Sequence, residues 1–199
     1  MKEIEFYYDI LSPYSFLAYE RLVKIIQRDG RLKMVMKPCL LGGIMKGSGN
    51  TPPGLVPAKL TWMLKDLERG FNEFNIKIKL PRNFPARTLP AMRLLTALDG
   101  TELQEPLAKE LWSRYWKHDQ DISSDEIQIA ALKECNVSSE RIQELMKRRS
   151  DPEIKSLLSR NTQRVLDHGG FGVPVFMVQK ELFYGSDRIQ QMIKLSCNL

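Results

Sequence analysis

The placement of the β patterns constrains this chain most: two lie at its start, two near its end, and a long helical stretch separates them. Ile4, Phe6, Tyr8 and Ile10 alternate with Glu5, Tyr7 and Asp9, a period of two that predicts a strand. Ser12-Pro13-Tyr14-Ser15 interrupts it, with proline where the first turn of a helix needs no N–H. Phe16, Leu17, Tyr19, Leu22, Ile25 and Ile26 then follow helical spacing as far as Asp29-Gly30. Leu32, Met34 and Met36 alternate again up to Pro38. The second β pair follows Gly169-Gly170-Phe171-Gly172. There Pro174 to Val178 and Leu182 to Tyr184 predict a hairpin, although Gln179-Lys180 is poor turn chemistry. Ser186 and Asp187 are expected to open a last helix through Ile189, Met192, Ile193 and Leu195. The order is βαβ, a helical block, then ββα. The outer pieces form one mixed sheet only if they pair across the block. The expected fold is therefore an α/β domain, residues 1–56 with 169–199, carrying an all-helical insertion, residues 57–168.

Between the β pairs, Gly42 to Pro57 is dense in glycine and proline and predicts a long loop, either functional or a plain connector. From about residue 57 to 168 the pattern is almost wholly helical. Leu60, Met63, Leu64 and Leu67 make one stripe, and Leu89, Met92 and Leu95 another. Thr101-Glu102-Leu103-Gln104 resembles a capping box, and Ser123-Ser124-Asp125-Glu126 and Ser150-Asp151-Pro152-Glu153 repeat the signal. Trp112 and Trp116, four apart, read as core or interface.

Composition removes several function classes. With 43% hydrophobic and 27% charged residues in 199, the chain is no long disordered segment. No apolar run approaches the ~18 residues of a membrane span. The net charge of +6 admits nucleic acid, an acidic small molecule, or solubility alone. Lys147-Arg148-Arg149 reads as solvated charge, and no aromatic-plus-basic stripe marks a nucleic-acid surface. Cys39, Cys135 and Cys197 are too few and scattered for a disulfide framework, which points to reduced thiols in an intracellular protein. There is no Cys-x-x-Cys pair, and with two histidines no metal site is expected. His118 and His168 read as helix-surface or helix-end residues. Walker, Gly-x-Ser-x-Gly and His-Glu-x-x-His motifs are missing. No targeting signal is visible at the start, and Ser196-Cys197-Asn198-Leu199 is not a peroxisomal ending.

Two spots point to chemistry. Ser12 stands where strand one ends and helix one begins. Helix N-termini favour anions, and a hydroxyl there can donate to a bound thiolate, although Ser12 also suits a simple N-cap. The second spot is Val173-Pro174 together with Gly185-Ser186-Asp187-Arg188. A cis Val173–Pro174 bond would present the Val173 N–H and C=O to an extended peptide-like ligand. Amides at Ser186 and Asp187 would hold a carboxylate, and the Asp187 side chain an ammonium. One α-amino-acid head group satisfies both.

Phe6-Tyr7-Tyr8-Asp9, Leu11-Ser12-Pro13-Tyr14-Ser15, Gly43-Ile44-Met45-Lys46 with Ser48-Gly49-Asn50 and Pro52-Pro53, Phe171-Gly172-Val173-Pro174 and Gly185-Ser186-Asp187-Arg188 occur in that order. Together they closely resemble the kappa-class glutathione transferases and their relatives, the 2-hydroxychromene-2-carboxylate isomerases. The resemblance covers essentially the whole chain and implies a thioredoxin-like fold with Pro174 as its cis-proline. It implies glutathione as co-substrate, with no tightly bound cofactor or metal, and Ser12 as the catalytic hydroxyl. Pro13, Tyr14, Asn50, Lys59, Val173, Ser186, Asp187 and Arg188 are its implied glutathione-binding partners. Val173 would pair with the cysteinyl backbone, and Ser186 and Asp187 would grip the γ-glutamyl end. The implied second substrate is a small hydrophobic electrophile such as an aryl halide, or a peroxide, in a detoxifying homodimer. Its implied compartment is the mitochondrion or the peroxisome. An isomerase, or a non-catalytic thioredoxin-like folding partner, is the alternative. Phe16 stands where the family commonly has Trp, and the hairpin turn is shorter here.

Overall fold

A computed structural model describes residues 1–197, with side chains through Leu195. The chain opens with β1 (Lys2–Tyr8), α1 (Pro13–Arg28) and β2 (Leu32–Pro38). Next come α2 (Leu41–Ser48), a 3₁₀ turn at Pro53–Leu55, α3 (Pro57–Asn72), α4 (Leu89–Thr96) and α5 (Gln104–Trp116). It continues through α6 (Asp125–Glu134), α7 (Ser139–Arg148) and α8 (Pro152–Asp167), and ends with β3 (Val175–Val178), β4 (Glu181–Tyr184) and α9 (Ile189–Cys197). The sheet order is β2-β1-β3-β4. β1 runs parallel to β2 with Phe6 opposite Met36, and antiparallel to β3 with Phe6 opposite Phe176. The two ends of the chain thus pair across the helical block, as their alternating patterns require. Among the described residues no helix is long and apolar enough to cross a membrane.

The sheet and the helical block share one core. Phe6 stacks on Tyr8 and Phe176, with ring centroids 5.4 and 5.3 Å apart. Trp112 of α5 lies against Tyr8, Phe16 and Tyr19. Trp116 donates its indole N–H to the Ile10 carbonyl at 3.0 Å, which ties α5 to the end of β1. Both tryptophans are therefore core residues. His118 is exposed, and His168 sits exposed at the end of α8 with Nδ1 2.9 Å from the Arg164 carbonyl. Arg149 is fixed by Asp125 and Gln128. Cys39 and Cys135 are free thiols, whereas the side chain of Cys197 lies outside the described residues.

Several local expectations need correction. The glycine-rich stretch after Gly42 is not a loop at its start, because α2 occupies it. A Cβ on Gly43 would stand 3.1 Å from Thr162 Cγ2, and one on Gly47 would stand 2.5 Å from Leu166 Cδ1. These glycines, one helical turn apart, let α2 lie close on α8, and tertiary packing overrides their poor helix propensity. Gly49 then ends α2 in the left-handed region at φ 72°. Nor is the block helical throughout. Residues 73–88 run without a helix and are held on α5 by Lys79 N–H to the Trp116 carbonyl and Ala86 N–H to the Tyr115 hydroxyl. The capping box at Thr101 does not form, since its hydroxyl turns back to the Leu98 carbonyl at 2.8 Å. In the hairpin, Gln179 and Lys180 adopt φ 53° and 77°, so poor turn residues are carried by the pairing of β3 with β4.

Gly170 sits in the crossing from α8 to β3, just ahead of Val173. A Cβ there would lie 2.4 Å from Val165 Cγ1 and 2.8 Å from the Val165 carbonyl oxygen. A backbone carbonyl has nowhere to go. Gly170→Ala is expected to destabilise the fold by about 2–3 kcal/mol, read from the urea midpoint.

Candidate functional site

The site is built where β1 runs into α1. Ser12 caps α1, with its Oγ accepting the Ser15 N–H at 3.1 Å. The same hydroxyl donates to the Val173 carbonyl at 3.3 Å. The capping and functional readings of Ser12 are thus both realised, and at 4% exposure it lies just beneath the surface. Pro13 is buried at the first helical position and brings no N–H, which leaves Tyr14 as the remaining first-turn amide. Ser15 Oγ is buried without a hydrogen-bond partner, so only Ser12 of the Ser-x-x-Ser pair is engaged.

The Val173–Pro174 bond is cis. One part of the expectation changes here: the Val173 carbonyl is not open to a ligand, because Ser12 already uses it. Asn50 donates to the Phe171 carbonyl at 2.8 Å, so it holds the strand approach two residues ahead of Val173. Ser186 and Asp187 do not open a helix either. They form a turn, and α9 starts only at Ile189, with Met192 N–H bonding to the Arg188 carbonyl. The Gly185 N–H binds the Pro174 carbonyl at 3.0 Å, which locks this turn to the cis-proline. Gly185, at φ 102°, also leaves room for the Asp187 carboxylate, which would stand 2.5 Å from any Cβ there.

Tyr14, Lys59, Val173, Pro174, Ser186 and Asp187 line one cleft of about 830 Å³. Ser12 lies beneath its Val173 wall, and Pro13, Asn50 and Arg188 are not on its surface. Arg188 stands 3.6 Å from Asp187. Sequence reasoning missed much of the remaining wall: Arg21, Trp62, Asp66, Arg69, Glu73 and Tyr184. Trp62, 60% exposed, is the largest apolar surface there.

The walls have a simple geometry. Tyr14 donates to Asp66 at 2.9 Å and Arg21 to Glu73 at 2.8 Å, both across 52 residues. An equal offset means that α1 and α3 run in the same direction. A Cβ on Gly70 would lie 2.5 Å from Leu17, so the helices nearly touch midway. Lys59 then marks one end of the groove and Arg21 with Glu73 the other, about 20 Å apart at 1.5 Å per residue. Among the described residues Lys59 and Arg69 have no ion-pair partner. Burial, and then the Asp66 carboxylate, push the Tyr14 phenol well above its ordinary range, so it stays a neutral donor. Burial likewise raises Tyr184, with Asp187 adding to the effect. Cys39 is pushed up by burial and then by Asp9, so it is no nucleophile.

Beneath the site, Asp9 is buried and fixes three segments. Its Oδ1 accepts the Leu11 N–H at 3.0 Å; its Oδ2 accepts the Leu41 N–H at 2.9 Å and the Thr88 hydroxyl at 3.3 Å. Its own carbonyl accepts the Ser12 N–H at 3.0 Å.

The DsbA-like thioredoxin domain matches residues 3–195. Glutathione S-transferase kappa 1 of Homo sapiens is 35% identical over 205 residues, covering 98% of this chain and 90% of the relative. The chain belongs to the kappa-class glutathione S-transferase family. The 2-hydroxychromene-2-carboxylate isomerase of Sphingobium xenophagum is more distant, at 23% identity over 94% of both chains. A solved 2-hydroxychromene-2-carboxylate isomerase structure superposes with a TM-score of 0.81 at 20% identity, covering 98% of this kappa-class chain and 94% of the other. Transferase and isomerase relatives thus share this fold.

Proposed function

We propose that this protein is a glutathione transferase that uses Ser12 to stabilise the thiolate. The observation that carries the reading is the contact of Ser12 Oγ with the Val173 carbonyl, at the N-terminus of α1 and directly beneath the Val173 wall of the cleft. Glutathione would lie along the α1–α3 groove with its cysteine at Val173. Its glycine carboxylate would point to Lys59, and its γ-glutamyl end to Ser186 and Asp187. The cation at one end of the groove and the carboxylate at the other suit a peptide with charged ends.

On binding, the Ser12 hydroxyl turns from the Val173 carbonyl to the sulfur. It donates there, and the α1 N-terminus adds positive potential. The thiol proton leaves to solvent. The thiolate attacks an electrophilic carbon, a C–S bond forms, and from an aryl halide the halide departs with its electron pair. With a peroxide, an S–O bond forms as the O–O bond breaks, leaving the glutathione sulfenic acid and an alkoxide that takes a proton from solvent. Trp62 and Met63 provide the apolar wall for such a partner. The test is glutathione binding followed by turnover of an aryl halide, with ultraviolet titration of the bound thiol. A bound thiol that titrates near the free value of ~8.5 would falsify the mechanism.

The isomerase relative favours a second reading, in which the same thiolate adds to a hydroxychromene carboxylate and leaves again. Faster turnover of that substrate than of an aryl halide would select it. The exposed Trp62, Leu64 and Leu80 of the helical block suit a homodimer interface, which sedimentation at micromolar protein tests.

A further inference from the structure

We propose that Arg21 is a specificity-determining residue that reads the α-carboxylate of the γ-glutamyl group. The inference rests on the glutathione reading above and adds a residue that no motif marks. Arg21 lies on the cleft wall at the end where Ser186 stands. Its Nη1 donates to the Ser186 carbonyl at 3.3 Å and to Ser186 Oγ at 3.4 Å. On its other edge Nη2 and Nε hold the two Glu73 oxygens at 2.8 and 3.4 Å.

A guanidinium has five N–H donors. Glu73 takes two, and the two Ser186 oxygens draw on Nη1 at 3.3 and 3.4 Å; a ligand that displaces the longer Oγ bond finds one donor on each terminal nitrogen. That pair is the end-on fork that a carboxylate fits with two parallel bonds. Glu73 meanwhile fixes the plane of the guanidinium, so the fork is oriented before the ligand arrives. Ser186 and Asp187 offer the other half of the head group's needs. Asp187 can hold the ammonium, and the fork holds the carboxylate beside it.

A merely structural ion pair is the competing explanation. The Arg21 side chain is 26% exposed and that of Glu73 53% exposed, and pairs so solvated contribute little to folding. Replacing Arg21 should therefore leave a folded protein, while its fork is lost.

The test crosses the protein with the ligand. Calorimetry compares glutathione with 4-aminobutyryl-cysteinyl-glycine, the same tripeptide without the α-carboxylate. Native protein is expected to prefer glutathione by about 10–100-fold, the worth of charge-assisted bonds. In Arg21→Met that preference should fall to within about 3-fold, because the loss falls on glutathione and not on the analogue. Glu73→Gln keeps the fork and should keep most of the preference. Equal weakening of both ligands by Arg21→Met would overturn the assignment. So would a Glu73→Gln protein that loses the preference as completely as Arg21→Met. Native protein that binds the two ligands equally removes Arg21's role but leaves the glutathione reading standing. Native protein that binds neither removes both.

Discussion

Ser12→Ala should raise the pKa of bound glutathione by about one to two units and cut kcat/KM at neutral pH by about 10–100-fold. A hydrogen bond to a charged acceptor contributes about 1.5–3 kcal/mol, and each 1.4 kcal/mol is one power of ten. The loss should depend on pH in a defined way. Below the native thiol pKa the variant has fewer thiolates, so the gap is widest there. Above the variant's own pKa both proteins carry thiolate, and the gap narrows. Ser12→Ala also removes the cap of α1 and the donor to Val173, which costs about 1 kcal/mol of stability. Ser12→Thr keeps a hydroxyl for both tasks and should recover most of the rate. If the alanine variant keeps the native thiol pKa and turnover, the hydroxyl is not the stabilising group.

Asp9→Ala should cost about 3–5 kcal/mol of folding free energy. Its carboxylate is the acceptor for Leu11, Leu41 and Thr88, and all three donors would be left in a buried place. One of them starts α2, which has no side-chain cap of its own at Leu40. Asp9→Asn gives a subtler, pH-dependent result. Burial raises the Asp9 carboxyl above its ordinary value, against the pull of its hydrogen bonds. The folded state therefore holds that proton more tightly than the unfolded chain does. This group's contribution is fullest below its unfolded pKa and declines as pH rises through the folded one. The deficit of Asp9→Asn relative to native protein should accordingly be largest at acid pH and shrink towards neutrality. Asp29, held at about 2 by Arg31, and Asp119, lowered by Arg82, act in the opposite direction. They are present in both proteins, so they cancel in the difference. Urea midpoints from pH 3 to pH 7 read the effect, and a flat difference would exclude Asp9 as its source.

How far the fold was legible depended on which signals were local. The strand from Ile4 and the helix after Pro13 carry their periods within a few residues, and both appear, although β1 ends at Tyr8, two residues short of the Ile10 that the alternation reaches. The helix at Leu41 does not. Its glycines make sense only once Thr162 and Leu166 stand against them, more than a hundred residues away. The turn at Ser186 departs from its sequence pattern for a related reason. Ser-Asp before an apolar helix is a common N-cap pattern, but the Gly185 bond to Pro174 pulls it into the cleft instead. Within the site, Ser12, Val173 and the Ser186–Asp187 pair were visible because each combines a turn signal with a hydroxyl, a proline or a carboxylate. Arg21 and Glu73 were not. They are ordinary surface-helix residues in sequence, and only the common direction of α1 and α3 brings them together. Asp9 reads in sequence as part of a strand, and its donors at Leu41 and Thr88 leave no sequence signal at all.

The groove is walled by segments around residues 14–21, 58–73 and 173–187, which meet only in the finished fold. A ligand seated there touches all three at once and has nothing equivalent to hold in the unfolded chain. It therefore works as a removable crosslink. At a hundred times its dissociation constant such a ligand adds about 2.7 kcal/mol to the stability of the folded state. The folding stability of this protein would then track the glutathione concentration around it.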